Sequence, residues 1–537
     1  MLSATTKVYF SGDNAALGLA FISLLFVVSK LALKRYAQRK RNPLRLPFPP
    51  GPPGIPLFGN ALQVPRERPC DVYRDWSKEY GSELIYLDVL GQPIVVLNSM
   101  ESAVGVLEKK AANTSSRPLT PALDLMQVQK WNFPLMPYGH QWRARRRAFH
   151  QAMMPARIPG YHSVIEQETR VFLQRLELQP SNILAETQRL VGQILIRVAY
   201  GSEDYDYNRK LVENSQYLVD VVGGALHPGK LYLVNVLPFI KHLPRWFPGT
   251  QGWRIIFDEV IRAADRALTP PFLDAKERLT NRGQQSTQSE EPSLLRTLFE
   301  RMPPADSPER QEQEAIARQV AGLSYIAGAD TTLTTAHALI FAFAKFPKVQ
   351  RKGQQEVDTF IESTGRVPKI SDRGQVPYIE AIIKEILRWF NAAPLGLPHQ
   401  STEDEEYNGY FIPKGTILLP NAWAILHDPN NFENPEEFKP ERYLRNGQVD
   451  HSIPDGESAG FGFGRRVCPG RNLSKDVLFF LTVGLLATFE IRPPSKRDES
   501  KPFEMELVPE VIAKVLPFDC EVVPRATKHL ELFKSYE

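Results

Sequence analysis

A chain of 537 residues, 42% hydrophobic and 23% charged, holds enough apolar side chains for a large packed core, which excludes a disordered protein. A net charge of +4 is too mild for a nucleic-acid binder. Three cysteines, Cys70, Cys468 and Cys520, exclude a disulfide framework, fit a reducing compartment and lack the spacing of a zinc site.

The chain opens with a short segment, residues 1–14, followed by an apolar run from Ala15 to Leu33 that is broken only by Lys30. That run is long enough to cross a bilayer as a helix. Lys34, Arg35, Arg39, Lys40 and Arg41 follow at once. The charge bias predicts a single-pass anchor over 15–33, with residues 1–14 across the membrane and the long remainder in the cytosol. A cleaved signal peptide would carry its basic cluster ahead of the apolar run instead. The cluster also suits anionic lipid headgroups. Next comes Pro43 to Pro56, dense in proline and glycine, which forbids a helix and favours a stiff spacer. Residues 34–56 therefore read as a basic, proline-rich hinge, and 57–537 as one folded body.

Within that body, short strands are predicted at Leu84–Val89, Ile94–Leu97, Ile417–Leu419 and Glu521–Val523, and helical periodicity dominates from Leu119 to Phe390. The expected class is mainly α with small sheets at the edges. On a helix near residue 140, Trp142 and Arg146 stand i, i+4 and share a face. Arg143, Arg145 and Arg147 lie off that stripe. With Arg465 and Lys475 they form either a basic docking patch or scattered surface charge. The proline-broken stretch Gly229–Gly249, with Leu233, Phe239, Trp246 and Phe247, reads either as a loop dipping into a bilayer or as a packed connector. Residues 280–289 read as a surface loop.

A helix is predicted from Pro308 to Ala344, with Ala327-Gly328-Ala329-Asp330-Thr331-Thr332 at its middle. Small residues there leave room for a flat group, and an acid beside a hydroxyl suits proton delivery. Glu385 and Arg388 stand i, i+3 among Ile382, Ile383, Ile386 and Leu387, so a buried pair is expected, with Arg442 of Pro440-Glu441-Arg442-Tyr443 as the further partner such a pair needs. Last, Phe461-Gly462-Phe463-Gly464-Arg465-Arg466-Val467-Cys468-Pro469-Gly470 puts one cysteine in a glycine-rich loop before a helical pattern. Backbone N–H groups and a helix N-terminus there favour a metal-bound thiolate.

Residues 461–470 resemble the haem-ligand loop of the cytochromes P450, F-x-x-G-x-R-x-C-x-G. The resemblance extends to A-G-x-D-T-T at 327–332, E-x-x-R at 385–388, P-E-R-Y at 440–443, W-x-x-x-R at 142–146 and the proline-rich hinge. It covers the chain from about residue 15, with the motifs in family order, and implies the cytochrome P450 fold. It implies haem b (iron protoporphyrin IX), with Cys468 as axial metal ligand and Phe461, Gly464 and Gly470 shaping its loop. It implies propionate contacts from Trp142, Arg146, His399 and Arg466. It implies that Thr331 positions oxygen and water, that Asp330 relays protons, and that Glu385, Arg388 and Arg442 lock the fold around the loop.

The chain ends too soon after Cys468 for a fused reductase. Electrons are therefore expected from NADPH through a separate cytochrome P450 reductase at the endoplasmic reticulum, with cytochrome b5 as an optional second donor. The style of the chain is similar to fungal monooxygenases of secondary metabolism. The expected activity is hydroxylation or epoxidation of a lipophilic small molecule, such as a terpenoid. The alternatives are a haem-thiolate isomerase or dehydratase, which has less need of Asp330 and Thr331, and a non-catalytic haem protein. Family positions put Met126, Trp131, Phe133, Tyr325, Ala329, Ala393 to Leu397, Val511 and Ile512 around the substrate.

Overall fold

The computed structural model describes residues 40–534 except 57, 227–231, 248–249, 283–291, 499, 509 and 526, together with 28–29, 32–33 and 36. The predicted anchor, 15–33, thus falls almost wholly outside the described residues. Among those described, no helix is long and apolar enough to cross a membrane.

Ten longer helices build most of the body. They are α1 (Pro69–Glu79), α2 (His140–Met153), α3 (His162–Leu178), α4 (Ile183–Tyr200), α5 (Tyr205–Leu226), α6 (Gln251–Arg282), α7 (Arg310–Lys345), α8 (Pro347–Thr364), α9 (Pro377–Trp389) and α10 (Arg471–Thr488). Helix α7 runs through the centre and packs on α4, α5, α6 and α2, while α10 packs on α3, α8 and α9. Close packing around α7 depends on small residues. A Cβ at Gly322 would lie 2.0 Å from Leu268 Cδ2 of α6, and one at Gly328 would lie 3.2 Å from Leu195 Cδ1 of α4. Gly328 therefore serves helix packing as well as the cavity wall. The helix remains α-helical throughout, ending at Lys345, and Pro347 opens α8 at its first turn.

The main sheet joins β1 (Leu84–Val89), β2 (Gln92–Leu97), β3 (His399–Gln400) and β4 (Ile417–Pro420) in the order β1-β2-β4-β3. Leu90 and Gly91 connect the first two strands with φ of 52° and 82°, the pair of positive values that a two-residue hairpin of native twist requires. Antiparallel pairs β5 (Phe489–Arg492) with β8 (Glu521–Pro524), and β6 (Leu507–Val508) with β7 (Lys514–Val515), flank the helical mass.

The proline-rich run does not stand clear of the body. Tyr86 N donates to Pro50 O at 2.9 Å, Phe411 N donates to Pro47 O at 2.8 Å, and the Phe48 ring stacks on Tyr86 at 4.9 Å. A Cβ at Gly51 would collide with Tyr86 O at 2.2 Å, so that glycine lets the run lie along β1. Of the expected surface loop, 280–282 end α6, and 283–289 lie outside the described residues.

Candidate active site

A cavity of about 360 Å3 lies between the middle of α7 and the loop before α10. Cys468 forms part of its wall. The loop is held by a hydrogen bond from Cys468 N to Phe461 O at 2.8 Å. Gly464 has φ +56°, and a Cβ there would lie 2.4 Å from Leu107 O, so no side chain fits without strain. Gly470 needs neither an unusual backbone nor protein clearance: its φ is −90° and a Cβ would meet nothing within 4 Å. Phe461 and Gly470 both border the cavity. Burial raises the Cys468 thiol above its usual value. The N–H groups of Gly470 and Arg471 and the Arg146 and Arg471 guanidiniums pull the other way.

Cationic side chains gather at one side of this cavity. Trp142 and Arg146 reach it from α2, as their i, i+4 spacing predicts. Arg466 Nε donates to Ser115 O at 2.8 Å, Nη2 donates to Met136 O at 2.7 Å, and its guanidinium lies 4.4 Å from the Trp142 ring centroid. The family pattern as read from sequence did not include Arg117, which Nη1 bonds to Leu397 O and Pro398 O, each at 2.7 Å. Burial lowers Arg117 to about 9; burial, then repulsion from Arg117 and Arg146, lowers Arg466 to about 8. Two buried guanidiniums that face carbonyl oxygens are poorly compensated, and the site favours an anion there. His399 is buried, with Nδ1 2.9 Å from Thr114 O, so that nitrogen carries the proton. Burial, Arg117 and Arg466 hold its pKa well below the usual imidazole value.

Helix α7 presents Ser324, Ala327, Gly328, Thr331, Thr332 and Thr335 to the cavity, an i, i+3, i+4 stripe. Thr331 Oγ1 bonds Ala327 O at 3.0 Å. Asp330 borders the cavity but is 4% exposed, and Lys514 Nζ lies 3.2 Å from its Oδ2. Burial raises the Asp330 pKa, and the Lys514 charge opposes that shift.

Five of the expected pocket residues, Met126, Tyr325, Ala329, Pro394 and Leu395, do not border the cavity. Tyr325 and Ala329 sit on the opposite face of α7, where the Tyr325 hydroxyl donates to Ala267 O at 2.8 Å, and Met126 is packed in the core. Trp131, Phe133, Ala393, Gly396, Leu397, Val511 and Ile512 do border the cavity. The sequence did not single out the wall contributed by α5 (Leu218, Val219, Val222 and Leu226), because an apolar helix face looks the same whether it meets a core or a cavity.

Behind the loop, Glu385 accepts from Arg388 Nε at 2.8 Å, from Lys439 N at 2.8 Å and from Arg442 Nε at 3.2 Å. Arg388 also donates to Leu426 O and Glu437 O. Gly456, on the approach to the Cys468 loop, packs against the Arg388 backbone: a Cβ there would lie 2.9 Å from Arg388 N. The supposed basic patch is smaller than expected. Arg145 is buried against Gln319 and Gln141, and Lys475 is paired with Glu457 at 2.8 Å. Arg143, Arg147 and Arg465 remain exposed, with Arg143 and Arg465 flanking the Tyr138 ring.

The geometry agrees with the comparisons to known proteins. The family model described as Cytochrome P450 matches residues 49–517. Cytochrome P450 monooxygenase COX1 of Coprinopsis cinerea is 44% identical over 95% of this chain and 97% of its own length. COX2 of the same fungus is 39% identical over 89% of each chain, and cytochrome P450 monooxygenase 98 of Postia placenta is 34% identical over 96% and 98%. With the cysteine loop, the central helix and the buried Glu385–Arg388 pair joined in one fold, this chain belongs to the cytochrome P450 family and is one of its monooxygenases.

Proposed function

We propose that the chain inserts one oxygen atom from O2 into a C–H or C=C bond of a lipophilic small molecule of terpenoid type, with electrons from NADPH delivered by a separate reductase. The observation that carries this reading is the apolar part of the cavity wall. Leu218, Val222, Leu226, Leu323, Val511 and Ile512 are all apolar. Asp330 is the acidic residue at that wall, and Lys514 compensates it, so an ionised substrate finds no counter-charge there.

The haem that the family implies fits the residues present. Cys468 would supply the thiolate that holds the iron. The cation-rich side of the cavity, with Arg117, Arg146 and Arg466, Trp142 and His399, suits the two propionates of haem b, whose charge offsets that of the buried guanidiniums. A carboxylate near His399 would also raise its pKa, letting Nε2 donate while Nδ1 keeps Thr114 O. Bound haem supplies the activation of O2. The chain's own part is positional. Thr331 holds its hydroxyl at the cavity surface, Asp330 stores a proton beside it, and α5 and the β6–β7 hairpin exclude water.

We place the chain at the endoplasmic reticulum membrane. Phe239 and Trp246 are 61% and 76% exposed in the loop that follows α5, with Leu233 and Phe247 near them in sequence. Such side chains cost little in a bilayer surface and much in water. Arg143, Arg147 and Arg465 suit an acidic redox partner. The test is turnover. Microsomes carrying this chain and a cytochrome P450 reductase should convert members of a terpenoid panel when NADPH and O2 are supplied. No oxygenated product from any apolar substrate would defeat the reading.

A further inference from the structure

Lys514 is shared by two carboxylates, one at the cavity wall and one on the outer surface of α5. Its Nζ lies 3.2 Å from Asp330 Oδ2 on α7, and it also forms an ion pair with Asp220 on α5. Asp330 is buried, whereas the Asp220 side chain is 48% exposed. One ammonium therefore links an acid at the cavity to an acid at the surface.

The backbone around Lys514 is fastened to α7. Thr334 Oγ1 donates to Ala513 O at 2.8 Å and accepts from Val515 N at 3.0 Å, and Ala513 N donates to Ala392 O at 2.9 Å. Lys514 and Asp330 thus keep a fixed relation. Asp220 belongs to α5, whose Leu218, Val219 and Val222 line the cavity. A displacement of α5 changes the Lys514–Asp220 contact and leaves the Lys514–Asp330 contact in place.

We propose that Lys514 is a positioning residue for Asp330, and that Asp220 sets how firmly Lys514 holds that acid, so that the packing of α5 over a bound substrate governs proton supply at Thr331. The inference rests on the proton-carrying role given to Asp330 above. Lys514 from β7 and Asp220 from α5 are the charged groups that face Asp330 among the described residues, with Gln216 of α5 as a neutral partner. Burial favours the protonated acid, Lys514 opposes it, and Asp220 favours it again. With α5 packed down, Asp220 draws on the ammonium and Asp330 takes up a proton more readily. With α5 lifted, Lys514 belongs to Asp330 alone and keeps it ionised. In each cycle Asp330 gives its proton toward Thr331 and regains one from solvent on the Asp220 side.

The test is an infrared-monitored pH titration of the Asp330 carboxyl band in the full-length, haem-loaded ferric protein, with the band assigned by its loss in Asp330→Asn. Lys514→Gln should move the midpoint up, and Asp220→Asn should move it down, each by about one pH unit, a tenfold change in proton affinity. Lys514→Arg should restore the wild-type midpoint. Opposite shifts are not what a merely structural contact would give; equal shifts, or none, overturn the proposal. Coupling of NADPH use to product is read in parallel. If Asp330→Asn leaves coupling unchanged, the proton-carrying role itself fails. If Asp330→Asn uncouples but Lys514→Gln does not, only the role of Lys514 fails. Should Lys514→Gln not fold, the Asp220→Asn and Lys514→Arg arms decide the matter.

Discussion

Arg388 closes on both carboxylate oxygens of Glu385, Nε to Oε2 at 2.8 Å and Nη2 to Oε1 at 2.9 Å, and neither side chain has any exposed surface. The pair contributes little net attraction relative to an apolar core, but it is costly to break. Glu385→Ala would strand Arg388 and Arg442 and free Lys439 N. The expected loss is about 3–5 kcal/mol, read as a fall in the unfolding midpoint. Arg388→Lys should not restore it, because an ammonium cannot satisfy two oxygens and two distant carbonyls at once. A wild-type midpoint in either variant would contradict this account.

Cys468→Ser should bind less haem and lose the red-shifted band of the ferrous–CO complex. The serine keeps the loop's hydrogen bonds but not the soft anionic ligand. Persistence of that band would assign the iron to another side chain.

Thr331→Ala should leave haem content and thermal stability near wild type. The Thr331 hydroxyl bonds carbonyls within its own helix, so nothing else loses a partner. The fraction of electrons appearing in product should fall about tenfold or more, the scale of a lost proton-transfer group. Measured peroxide release should rise in step. Unchanged coupling would remove Thr331 from the chemistry.

Gly464→Ala forces a left-handed backbone on a residue with a side chain, costing about 1–2 kcal/mol before any clash. Its methyl group would also meet Leu107 O at 2.4 Å. The expected result is a mobile cysteine loop, seen as faster proteolysis near residue 464 and faster haem loss to an apo-globin acceptor. Wild-type rates of both would show that the loop tolerates the side chain.

Trp246 should report on the bilayer. In the full-length protein bound to vesicles with brominated acyl chains, part of the tryptophan fluorescence should be quenched, and Trp246→Phe should remove that part. If the quenched fraction is the same in both proteins, the loop after α5 stays in water.

Local motifs made much of this molecule legible. The cysteine loop, the long central helix and the Glu385–Arg388 spacing are all written in short stretches. Strands expected from Leu84 and Ile417 begin there, whereas β2 starts at Gln92, two residues before the expected Ile94, and the two-residue β3 was not expected. Tyr325 and Ala329 failed for a different reason. A run of small and apolar residues marks a helix but not its phase, and only the packing of α4 and α6 determines which stripe meets the cavity. Arg145 looked like surface charge because the side chain that buries it, Gln319, is far away in sequence. Arg117 offered one signal that could have been used, a lone cation within the otherwise uncharged run Ala111 to Ala122. The Lys514 bridge has no local signature, since its two acids lie on separate helices.

Thr334 on α7 holds Ala513 and Val515, 179 and 181 residues further along the chain, and Val511 and Ile512 complete the cavity from that hairpin. The ribosome therefore cannot hand over a finished binding site until residues 511–515 have been made. A nascent chain stalled before residue 511 would expose an open apolar hollow to solvent, the kind of intermediate that aggregates or is met by chaperones.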